Sequence, residues 1–233
     1  MTGARARESY TLFSVAFPFR IKVCGITSEE AARAAVDEGA DHLGLVLCAS
    51  PRRVTVERAA ALVAGVSASW VGVFVDSSLD ELIVTTRKLG LSAVQLHGSE
   101  TVGCCEAVRA ATGLPVWKAI RAEVAGTEAG YEGAVDALLL DAVRGGSGQT
   151  LDWRSIGTRF PRPRRIPMVL AGGLGPDNVA AAIVAARPDG VDASSRLELA
   201  PGVKDPDLVR AFVRRARAAA ESVAADGVAR VGQ

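Results

Sequence analysis

Four cysteines and two histidines are all that a chain of 233 residues offers for thiol and imidazole chemistry. Cys24 opens Cys-Gly-Ile-Thr directly after a short apolar run, and Asp141 closes the run Ala137-Leu138-Leu139-Leu140. A thiol serves as a base when a positive neighbour or a dipole lowers its pKa from about 8.5. A carboxyl in a closed, partly apolar site stays protonated and acts as an acid. Each residue has a plainer reading: a free cysteine is commonly a small buried hydrophobe, and an aspartate commonly caps a helix or turn. Two small-residue stretches, Ala171-Gly172-Gly173-Leu174-Gly175 and Ser194-Ser195, allow backbone N–H groups to converge on an oxyanion. Gly172 and Gly173 alone would indicate only a tight turn; two such loops together favour phosphate binding. His97 reads either as a site wall or as a satisfied core histidine. Cys48, Cys104 and Cys105 read as structural thiols, and His42 as a residue of the opposite, stabilising face. With no C-x-x-C and so few histidines, neither a metal site nor a disulfide framework is expected.

The elements that must position these residues alternate regularly. Continuous apolar runs at 21–23, 42–47, 70–75, 93–96, 116–120, 137–140, 168–170 and 190–192 suit strands buried on both faces of a parallel sheet. Between them lie helical stretches, capped by Ser28, Thr55 and Ser78, at 30–36, 57–64 and 81–88, then at 99–110, 176–186 and 206–220. Gly39, Gly90 and Gly113 follow helix ends. Segment 122–133 has three glycines and no apolar stripe, so the fifth helix is expected to be poorly formed. Eight units of about 25 residues are the arithmetic of a single-domain α/β fold, the (β/α)8 TIM barrel. A doubly wound sheet binding a dinucleotide would carry G-x-G-x-x-G after its first strand, and none follows Val23. The basic stretch 159–167 reads as a loop rather than a linker.

In such barrels chemistry sits where strands end. Those positions are Cys24, then Ser50-Pro51-Arg52-Arg53, Asp76, His97-Gly98, Lys118 with Arg121, Asp141 with Gly145-Gly146-Ser147-Gly148, and the two small-residue loops. His97 and Gly146 are the expected walls.

A net charge of +1, 49% hydrophobic and 23% charged residues exclude a disordered chain and leave no electrostatic footprint for nucleic acid. No apolar run is long enough to span a bilayer. The opening MTGARARESYTLFSVAFPF imitates a signal peptide, but Pro18 interrupts it and no A-x-A site follows. Residues 1–19 are therefore expected to be a disordered extension, 20–225 the barrel and 226–233 a tail, in a reduced cytoplasmic protein.

The ordered motifs carry a family resemblance. Ile21-Lys22-Val23-Cys24-Gly25-Ile26-Thr27, Gly39-Ala40-Asp41-His42-Leu43-Gly44 and Ser50-Pro51-Arg52 resemble phosphoribosylanthranilate isomerase. So do Val94-Gln95-Leu96-His97-Gly98, Leu140-Asp141 with Gly145-Gly146-Ser147-Gly148, Leu170-Ala171-Gly172-Gly173-Leu174, Ser194-Ser195 and Pro201-Gly202-Val203-Lys204-Asp205. The likeness runs in order from about Ile21 to Phe212.

The resemblance implies an Amadori rearrangement of N-(5-phosphoribosyl)anthranilate in tryptophan biosynthesis, with Cys24 as general base and Asp141 as general acid. It implies Arg52 as the grip on the anthranilate carboxylate, and Gly172, Gly173, Ser194 and Ser195 around the phosphate. No cofactor and no metal are implied, and the partner is a small phosphorylated substrate, bound by a monomer or a homodimer. Two other readings stand beside it. A dual-substrate isomerase of the histidine and tryptophan pathways would resemble this chain but uses an aspartate pair, and Cys24 speaks against it. A non-catalytic phosphate-binding barrel is the third. Arg196 stands where the family has glycine; it either strains the loop, if that position is left-handed, or adds a charge near the phosphate.

Overall fold

A computed structural model describes residues 18–121, 128–141 and 152–231 of the chain. Eight parallel strands close into one barrel: β1 (Arg20–Cys24), β2 (His42–Val46), β3 (Trp70–Phe74), β4 (Ala93–Leu96), β5 (Val116–Arg121), β6 (Ala137–Asp141), β7 (Met168–Ala171) and β8 (Gly190–Ala193). β8 pairs back onto β1 through Arg20–Gly190 to Val23–Ala193, which leaves the eight-stranded sheet without an edge. The expected strands all form, each within one residue of its expected ends. Alternate residues point in and out. Ile21, Val23, Leu43 and Leu45 join the large core between strands and helices, whereas Cys24, Val46 and Val73 form a separate cluster inside the barrel.

The helices are α1 (Glu29–Asp37), α2 (Val56–Gly65), α3 (Leu79–Leu89), α4 (Val102–Thr112), α5 (Trp153–Arg159), α6 (Val179–Ala186) and α7 (Pro206–Val231). Ser28, Thr55 and Ser78 cap their helices by accepting from the N–H three residues on, as their residue types dictate. α4 begins later than expected, capped by Thr101, because Asp76 Oδ1 takes both the Ser99 N–H (2.8 Å) and its hydroxyl (2.9 Å). Between β5 and β6 the described residues hold a single 3-10 turn, Glu128–Tyr131. α5 is the sixth helical unit, expected ahead of the 159–167 loop though without stated bounds; it spans seven residues and buries only Ile156.

Two corrections fall at the ends. Phe19 packs against the core and its carbonyl accepts from Arg217 at 3.3 Å, so it belongs with the barrel. α7 runs through Val231, so residues 226–231 continue the closing helix rather than forming a tail. It buries Val209, Phe212, Val213 and Ala216. An unforeseen hairpin follows β8: β9 (Glu198–Ala200) and β10 (Val203–Lys204) pair antiparallel. It carries two charged side chains to the mouth of the barrel.

Candidate active site

The inward positions at the strand ends meet around a cavity of about 380 Å3. Cys24, Arg52, His97, Asp141, Gly172, Gly173, Ser194 and Ser195 all line it, so eight predicted residues from six strand ends share one cavity. Gly146 lies outside the described residues. Lys118 is not among the lining residues: its ammonium donates to Glu100 Oε2 (2.8 Å) and the Gly98 carbonyl (2.7 Å), tying the β4 and β5 loops. His42 opens β2, far from the mouth; Ser69 Oγ lies 2.8 Å from its Nδ1 and Trp117 meets it edge-on.

Cys24 is 8% exposed. Beside it on the same face of β1, Lys22 reaches across to β8, its Nζ 3.1 Å from both Asp192 carboxylate oxygens. Burial pushes the Cys24 thiol up, while Lys22 pulls it down and Asp192 pushes it further up. Burial also raises Asp192, against the attraction of Lys22. For Lys22, burial works downward but Asp192 and Cys24 outweigh it, and the ammonium stays charged.

Arg52 is held from the side by Glu198: Nε to Oε1 at 2.7 Å and Nη2 to Oε2 at 2.8 Å. This bidentate grip leaves the Nη1 end of the guanidinium for a second carboxylate, since the group carries five N–H donors. Glu198 also accepts from Lys204 Nζ at 2.6 Å, and Lys204 donates to the Ser194 carbonyl at 3.2 Å. Ser194 Oγ in turn donates to the Cys24 carbonyl at 3.0 Å. Burial acts to raise Glu198, but Arg52 and Lys204 hold its carboxyl below the usual range. The hairpin thus ties the ends of β1, β2 and β8 together. Sequence reasoning missed Glu198 and Lys204 as site-building residues, because their role depends on a hairpin it did not foresee.

Across the cavity, Asp141 Oδ2 lies 3.2 Å from His97 Nε2, and Gln95 Nε2 lies 2.9 Å from His97 Nδ1. An amide nitrogen only donates, so Nδ1 accepts and the ring proton on Nε2 faces Asp141. Gln95 and Asp192 also line the cavity. A signal for both was present: a polar side chain inside an apolar strand buried on both faces needs a polar partner.

Gly172 and Gly173 have φ of 84° and 66°, a backbone side chains resist, and turn the chain around the cavity. Asn178 stitches this loop, donating to the Gly173 carbonyl (2.9 Å) and accepting from the Gly175 N–H (2.8 Å). Arg196 is not left-handed; among the described residues only Asp76 and Arg187 are non-glycines with positive φ. The strain alternative therefore falls. Arg196 instead extends to Asp177, 2.6 Å away, beside the same loop.

The known proteins that resemble this chain agree with one another. The model of the N-(5'-phosphoribosyl)anthranilate (PRA) isomerase family matches residues 21–215. The N-(5'-phosphoribosyl)anthranilate isomerase of Paramagnetospirillum magneticum is 43% identical over 213 residues, 86% of this chain and 98% of that protein. A crystal structure of phosphoribosyl anthranilate isomerase in complex with reduced 1-(o-carboxyphenylamino)-1-deoxyribulose 5-phosphate superposes with a TM-score of 0.74. It is 33% identical, over 86% of this chain and 99% of that one. Monomers generated from the dimeric phosphoribosylanthranilate isomerase of Thermotoga maritima give 0.74 at 34% identity, over 86% and 99%. Fold, strand-end chemistry and relatives converge, and the chain belongs to the N-(5'-phosphoribosyl)anthranilate isomerase family.

Proposed function

We propose that this protein converts N-(5-phosphoribosyl)anthranilate into 1-(o-carboxyphenylamino)-1-deoxyribulose 5-phosphate, with Asp141 as general acid and Cys24 as general base. The observation that carries this reading is the single cavity lined by Cys24, Asp141, Arg52 and both small-residue loops. Protonated Asp141 gives its proton to the ribose ring oxygen; the bond from that oxygen to C1 breaks, and the anthranilate nitrogen forms a C1=N Schiff base. The His97 Nε2–H then holds the carboxylate left behind. The Cys24 thiolate removes the proton from C2, and that electron pair forms a C1=C2 enolamine. Loss of the C2 hydroxyl proton and gain of a proton at C1 give the ketone. The substrate nitrogen donates its lone pair as the ring opens and takes an electron pair back, as the Schiff base, when C2 is deprotonated.

Arg52 takes the anthranilate carboxylate with the end of its guanidinium that Glu198 leaves open. The loops of Gly172-Gly173 and Ser194-Ser195 take the phosphate. The reaction is the isomerase step of tryptophan biosynthesis, and its setting is the cytoplasm, where free thiols such as the four here stay reduced. No helix among the described residues is long and apolar enough to cross a membrane. The protein works as a monomer or as a homodimer of the kind the Thermotoga relative forms. Following the loss of phosphoribosylanthranilate fluorescence tests the reading: purified protein should accelerate that loss and yield the ketose phosphate. Folded protein that leaves the substrate unchanged would contradict it.

A further inference from the structure

The buried pair behind Cys24 is costly to form. Lys22 is 1% exposed and Asp192 6%, both inside the barrel. Desolvating two charges offsets most of their attraction, and apolar replacements are often as stable. Such a pair calls for a role other than stability. Its geometry supplies one, because two contacts to Asp192 leave an N–H of the ammonium for the sulfur beside it.

Space around the pair is equally specific. Gly44 faces both groups from β2, and a Cβ there would lie 2.8 Å from Cys24 Sγ and 3.0 Å from Lys22 Nζ. Only glycine lets thiol and ammonium sit together at that point. The other charged or titratable groups around Cys24 come from four directions. Arg52 and Cys48 lie on the loop after β2, Asp192 on β8, Lys204 on β10, and His97 with Asp141 across the cavity. Arg52 and Lys204 are both committed to Glu198. Lys22, 1% exposed, is the cation that shares a strand face with the sulfur.

We propose that Lys22, anchored by Asp192, is a positioning residue whose ammonium holds the Cys24 sulfur in place and favours its thiolate. This rests on the reading of Cys24 as general base. Burial alone drives a thiol toward its neutral form, which is useless as a base. Lys22 opposes that drive from the side away from substrate. Asp192 keeps the ammonium charged and fixed, so the thiolate is the free end of a line of three groups.

The test compares wild type with Lys22→Met, and with Lys22→Met/Asp192→Asn, in which no buried charge is left unpaired. Alkylation of Cys24 by iodoacetamide, read at that residue by peptide mass across pH, reports its thiolate directly. An opposite charge at close range is worth about 1–3 pKa units, so Lys22→Met should need about 10- to 1000-fold less acid to reach the same thiolate fraction, and the double variant, which also loses the Asp192 charge that pushes the thiol up, should shift the same way by less. Turnover should fall at neutral pH and recover as the pH is raised, which a purely structural role would not produce. An unchanged alkylation midpoint in the folded variants would overturn the proposal. The two readings fail separately. If Cys24 is not the base, wild-type turnover will not track its alkylation profile, whatever the Lys22 variants do to that profile.

Discussion

The two sides of the cavity are built differently. On the β1 side Cys24 is 8% exposed, backed by Lys22 and Asp192 and ringed by the Arg52–Glu198–Lys204–Ser194 network. On the β6 side the side chains of Asp141 and His97 are 34% and 32% exposed and touch each other at 3.2 Å. A second cavity of about 720 Å3 adjoins that side and shares both residues. The difference suits the two chemical tasks proposed for these sides. A buried base that must be a thiolate needs a fixed cation to offset its desolvation; an acid that must be reprotonated each cycle needs access to solvent. Fixed charges gather behind the sulfur, and Asp141, the proposed acid, lies on the more exposed side.

The contrast breaks first at Asp141. Asp141→Asn should lower kcat by about 10²–10⁴ with unchanged circular dichroism, because an amide cannot deliver the ring-opening proton. Near-native turnover would take Asp141 out of the mechanism. Arg52→Ala comes next and should act chiefly on KM, weakening the hold on the substrate carboxylate by about 2–4 kcal/mol. It should also remove the preference for an ortho-carboxylate over an uncharged analogue; an unchanged KM would mean that the carboxylate is held elsewhere, with Arg53 the next candidate.

The smallest effect belongs to the far end of the barrel and touches stability only. Burial lowers the His42 pKa from 6.5 to about 4. Between those values the unfolded chain binds a proton that the folded chain refuses, so stability should fall as the pH drops through that window. His42→Gln should flatten that part of the urea-midpoint profile and leave kcat at neutral pH unchanged. An equally steep profile in the variant would assign the acid sensitivity to other groups.

Strands were the most legible part of the sequence, because burial on both faces writes each as an unbroken apolar run. Their ends located Cys24, Arg52, His97 and Asp141 through the rule that barrel chemistry sits at that face. What escaped depends on pairings across the chain. Glu198 and Arg52 are 146 residues apart and meet only because the β9–β10 hairpin folds back over the mouth. That hairpin exposes Leu199 and Val203 and has strands of three and two residues, too short for an alternation to show. Lys22 and Asp192 were visible as polar residues within apolar runs, but only closure of β8 onto β1 makes them partners. Arg196 shows the converse: a departure that threatened strain is relieved by a backbone that never becomes left-handed.

Cys24 is the residue on which the proposed chemistry depends most directly, and kcat of Cys24→Ser, measured on protein whose circular dichroism matches wild type, tests it. A hydroxyl will not ionise near neutrality, so the serine variant should bind substrate and fail to turn it over. A serine variant with near-native kcat per folded molecule would make Cys24 a buried structural thiol and contradict the account.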